Sequence, residues 1–80
     1  MSIETLLKMA GYAPEEIECI EALDLGGNNI TYLPAEIGNL TNLQRLYLDG
    51  NALSSLPSEI GNLTNLQWLD LGGNALSSLR

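Results

Sequence analysis

Three short residue sets carry the chemistry this chain could offer. Arg45, Tyr47 and Asp49 alternate with Leu46 and Leu48. Trp68, Asp70 and Gly72 alternate with Leu69 and Leu71 in the same way, as do Ala22, Asp24 and Gly26 with Leu23 and Leu25. In an extended segment alternate side chains point to opposite faces, so each set stands on the face away from its leucines. Trp, Tyr and Arg are the types that dominate contact surfaces between proteins, and the chemistry implied is recognition. The candidate contact surface is Asp24, Arg45, Tyr47, Asp49, Trp68 and Asp70. Arg45 beside Trp68 would form a cation–π pair, worth about 0.5–1 kcal/mol when exposed. Asp24, Asp49 and Asp70 are hard-cation ligand types, but Tyr47 stands between Asp24 and Asp70, and no metal site is expected.

Reaction chemistry is poorly supplied. There is no His, so Ser and Thr lack a base, no nucleophile–base pair exists and no enzyme is expected. No cofactor is implied. The lone Cys19 excludes an intramolecular disulfide and a Cys-built zinc site. It reads either as a small, partly buried residue or as a thiol that links chains on oxidation. Three Lys and Arg face ten Asp and Glu, a net charge of −7. That argues against nucleic acid and anionic membrane as partners, since both need a basic footprint. At 45% apolar residues the chain is not a disordered acidic tail. No apolar run approaches the roughly 18 residues of a membrane span. The start, Met-Ser-Ile-Glu-Thr-Leu-Leu-Lys, has an early Glu and no basic region. It does not read as a signal peptide, and a cytoplasmic location is expected. Eighty residues make one small domain.

The elements that must position these residues come from a repeat. Residues 33–55 and 56–78 are 23-residue blocks that differ at four places: Ala35/Ser58, Arg45/Trp68, Tyr47/Asp70 and Asp49/Gly72. Three of the four lie in the candidate contact sets, so the scaffold is constant where the proposed surface varies. The same period reaches back to Ile20, Leu23, Leu25, Asn28, Ile30 and Leu33. Near-identity of this degree is what an engineered consensus sequence or a recent duplication gives. Asn29-Ile30-Thr31, Asn39-Leu40-Thr41 and Asn62-Leu63-Thr64 match the glycosylation sequon but read as part of the repeat.

The recurring L-x-x-L-x-L-x-x-N-x-L, with Leu33-Pro34 to Ile37, Leu56-Pro57 to Ile60 and Gly-Asn-Leu-Thr-Asn, resembles the leucine-rich repeat over about residues 20–80. The resemblance implies an α/β, right-handed leucine-rich-repeat solenoid with a short parallel sheet on its concave face. One turn of such a coil buries its leucines only against the turns beside it. Asp49-Gly50-Asn51 turns the chain after the strand. Pro57 starts the return path on the outer face. Asn28, Asn51 and Asn74 recur among the leucines and are expected to form a ladder to the backbone. An unbonded buried amide would cost about 1–3 kcal/mol. A polar ligand pocket is the weaker reading of these three, because the Asn recurs once per repeat.

The two ends differ. Residues 1–19 do not repeat and are expected to be a helical cap on repeats at 20–80. Ile3, Leu6, Leu7 and Ala10 have helical spacing, Ser2 is the N-cap and Gly11 the stop. Pro14 opens a second short turn, with Glu15 and Glu16 near its start. No polar cap is read at the carboxyl end. Leu69, Leu71, Leu76 and Leu79 there form a candidate self-association surface, since uncapped repeats and open sheet edges invite pairing. The leading expectation is a non-catalytic repeat scaffold that associates with itself, as a homodimer. The alternative is a fragment of a larger receptor that binds a protein or peptide on the concave face.

Overall fold

The computed structural model describes residues 2–76. Ile3–Met9 form helix α1, with Ser2 as N-cap; the Ser2 hydroxyl accepts from the Thr5 N–H at 3.2 Å. The helix stops at Gly11, whose φ of 88° is left-handed. There the Tyr12 N–H donates to the Leu7 carbonyl at 2.8 Å and the Gly11 N–H to the Lys8 carbonyl at 3.1 Å. These two hydrogen bonds satisfy carbonyls that a helix end otherwise strands. A 3-10 turn, Pro14–Glu16, follows as the proline predicts.

Three strands come next: β1 (Ala22–Asp24), β2 (Arg45–Tyr47) and β3 (Trp68–Asp70). They form one parallel sheet in the order β1-β2-β3. Leu23 pairs with Leu46 and Leu46 with Leu69, so the register is the 23-residue period itself. The strands are shorter than the alternating pattern suggests. Each is followed within a few residues by a glycine with φ near 70°: Gly27, Gly50 and Gly73. Such a turn takes the chain out of the ladder and favours Gly. Backbone bonds continue from turn to turn past the strands. The Gly27 N–H donates to Asp49 and the Gly50 N–H to Gly72, at 2.9 and 2.8 Å.

The return path on the outer side carries two 3-10 segments, Ala35–Asn39 and Ser58–Asn62, which stack directly. Each starts after a proline with extended backbone, Pro34 or Pro57. Their contact is close. A Cβ on Gly38 would lie 3.0 Å from the Glu59 carbonyl oxygen.

Between sheet and return path lies a column of leucines and isoleucines. Leu23, Leu25, Leu43, Leu46 and Leu48 are fully buried, joined by Leu6 and Leu7 from α1. Burying side chains of this size contributes about 1.5–3 kcal/mol each before the entropy of ordering is subtracted. Among the described residues, no helix is long and apolar enough to cross a membrane.

Candidate functional site

The alternation within each strand places the candidate contact residues side by side on the exposed sheet face. Ala22, Arg45 and Trp68 form one row across the sheet, and Asp24, Tyr47 and Asp70 the next. Trp68 is 59% exposed, Arg45 and Asp24 are exposed, and Tyr47 is half-buried between its two aspartate neighbours. Adjacent strands stand about 4.8 Å apart, so the Arg45 and Trp68 positions are neighbours.

Repeats differ in how they use their carboxylates. Asp24 and Asp70 each turn Oδ1 back to accept from the backbone N–H of the glycine two residues on, Gly26 and Gly72, both at 3.1 Å. Tyr47 replaces that aspartate in the middle repeat, and its carboxylate moves to Asp49. The Asp49 carboxylate lies over Gly26, where a Cβ would meet Oδ1 at 2.9 Å. Gly26 therefore leaves the room that Asp49 fills. These residues line an open concavity of about 610 Å³ with a glycine floor at Gly26, Gly27 and Gly50. Among the described residues no three carboxylate or thiol groups are grouped as a metal ion would need.

The asparagines sit as a ladder, with a correction. Only Asn51 is buried; Asn74 is half-buried and Asn28 exposed. Asn51 Oδ1 accepts from the N–H groups of Asn28 and Ile30, both at 2.9 Å. Its Nδ2 donates to the carbonyls of Leu25 and Leu48, also at 2.9 Å. One side chain thus ties two turns together. Asn74 repeats the pattern one turn on, donating to Leu48 and Leu71 and accepting from the Leu53 N–H. Asn28 donates only within its own turn, to Leu25 and Gly26. It differs because no repeat precedes it.

At the third repeat the leucine column opens. Leu69 is 37% exposed where Leu23 and Leu46 are fully buried. Leu66, Leu71 and Leu76 are half-buried. Leu79, the fourth member of the self-association set, lies outside the described residues. At the other end, the Tyr12 hydroxyl donates to the Ala22 carbonyl on the outer edge of β1 at 2.9 Å. Nothing in the sequence pattern points to this bond, because Tyr12 lies outside the repeat. Cys19 is exposed, not partly buried. In its register the corresponding Asn42 and Asn65 reach back to backbone carbonyls of the preceding turn, Glu18 and Thr41. A thiol is too short and too weak a donor for that role.

The leucine rich repeat family model matches residues 19–76. The chain belongs to the leucine-rich repeat family. A solved leucine-rich-repeat protein of Leptospira interrogans is similar at 48% identity with a TM-score of 0.76. The match covers 79% of this chain and 16% of that one, so this chain spans a small part of its neighbour's length. Among curated proteins none matches. The solenoid architecture expected from the repeat is therefore the observed one, a short parallel sheet on one side and 3-10 segments on the other.

Proposed function

We propose that this leucine-rich-repeat chain is a non-catalytic scaffold that associates with itself through the apolar face of its third repeat. The observation that carries the reading is the exposure of Leu69 beside fully buried Leu23 and Leu46 at the same register. In a nearest-neighbour stack, apolar surface left in water costs about 25 cal/mol per Å². A second copy removes that cost. Sedimentation over a concentration series tests it: a monomer–dimer equilibrium is expected, and a strictly monomeric species at high micromolar concentration overturns it.

A second reading is favoured by one observation, the 59% exposure of Trp68 next to the Arg45 position on the sheet face. Exposed Trp with Arg and Tyr is the composition of contact hot spots. In that reading Asp24, Arg45, Tyr47, Asp49, Trp68 and Asp70 meet another protein or a peptide. Such a binder stays monomeric in the same sedimentation series.

A further inference from the structure

We propose that the concave sheet face takes up an arginine side chain of a partner peptide, its guanidinium lying over Tyr47 and shared between the carboxylates of Asp24, Asp49 and Asp70. The inference rests on the second, peptide-binding reading and names the chemistry of the partner.

Charge is sorted between the two sides of the fold. All three aspartates of the chain line the concavity of about 610 Å³, and none of its seven glutamates does. Arg45 stands in the neighbouring row of the sheet face and is not one of the lining residues. Among the described residues no basic side chain pairs with the three carboxylates. The face is therefore complementary to a cation brought by a partner.

The carboxylates are oriented and still have capacity. Asp24 and Asp70 each commit Oδ1 to a glycine N–H, which leaves Oδ2 to accept from a ligand. The floor between them carries no side chains. A Cβ on Gly27 would meet nothing within 4 Å, so the space in front of it is open.

Spacing selects the kind of cation. Asp24 and Asp70 stand two strands apart, about 9.6 Å, with Tyr47 between them. A metal ion takes its oxygens at about 2.3–2.6 Å and cannot reach both sides across an aromatic ring. A guanidinium can. It is planar, stacks on an aromatic face and directs five N–H donors outward. Laid on Tyr47, it has a carboxylate about one strand spacing away on either side, about 4.8 Å. Lysine brings a point charge without a plane to stack. The Arg45 and Trp68 positions form the next row of the same face, so the peptide that carries the arginine finds further contact surface beside it.

Selection from phage-displayed random dodecapeptides tests this, with fluorescence anisotropy on the selected sequences as labelled synthetic peptides. The selected peptides should carry arginine, and replacing it by lysine should weaken binding several-fold. Tyr47→Ala should weaken binding about tenfold, the size of a lost cation–π contact. Asp24→Asn and Asp70→Asn keep the oxygen that accepts from glycine, and so the turn, and each should weaken binding several-fold. Glu36→Gln removes the same charge from the outer side and should leave binding unchanged. Circular dichroism follows the fold of each variant. If no selected peptide depends on Tyr47, Trp68 or the aspartates, both this assignment and the peptide-binding reading are overturned. Peptides that need Trp68 but carry no arginine, that accept lysine in its place, or that respond alike to Asp70→Asn and Glu36→Gln overturn the arginine assignment alone.

Discussion

Asn51 shows how much one side chain can carry in this fold. Its amide accepts two backbone N–H groups of the turn before and donates to carbonyls of both turns. Removing it strands those groups in the core, where each unsatisfied group costs about 1–3 kcal/mol. Asn51→Ala should therefore lower unfolding stability by more than about 1 kcal/mol in chemical denaturation. Asn28→Ala is the internal control. Asn28 is exposed and serves only its own turn, so its loss should cost about 0.5 kcal/mol or less. Equal losses at the two positions would mean that burial between turns is not what gives the ladder its worth. The recurrence of Asn was legible in the sequence, but its unequal burial was not. A repeat pattern assigns the same environment to every copy, whereas the first repeat is preceded by α1 and not by another repeat.

Gly38 and Gly61 make the same point for the outer segments. They occupy identical positions in nearly identical blocks. A Cβ on Gly38 would press on the backbone of the next segment at 3.0 Å, while one on Gly61 meets nothing within 4 Å. Gly38→Ala should cost about 1–3 kcal/mol by overpacking, and Gly61→Ala should stay within about 0.5 kcal/mol. Thermal melts of the two variants measure the difference; a tolerated Gly38→Ala would show that the segments slide apart freely. The period, α1 with its Ser2 cap and Gly11 stop, and the parallel register were all readable, because each follows from local chemistry or from the 23-residue spacing. The side-by-side placement of the candidate residues was readable too, since strand alternation and register together fix it. What was not readable depended on distant partners. Tyr12 finds Ala22 only once α1 has folded onto the first repeat, and Asp49 finds its place only because Gly26 has no side chain.

Charge and shape pull in opposite directions when two such chains meet. Each copy carries −7, with only three Lys and Arg to offset ten acids. Bringing two together concentrates like charge, and the repulsion acts over a Debye length of about 30 Å at 0.01 M salt but only about 8 Å at 0.15 M. The attraction is of another kind. In the proposed self-association, burial of Leu69 with its half-buried neighbours is short-ranged and insensitive to dilute salt. Raising sodium chloride across that range should therefore tighten the proposed dimer, visible as a fall in Kd by sedimentation. An interface held by ion pairs would loosen instead, because screening weakens attraction as readily as repulsion. The Arg45 and Trp68 row offers the main route to such pairing, as Arg45 is the one cation placed on the sheet face among the described residues. A Kd that rises with salt would move the contact from the leucine edge to that face, and would replace a scaffold closed by apolar burial with one steered by charge.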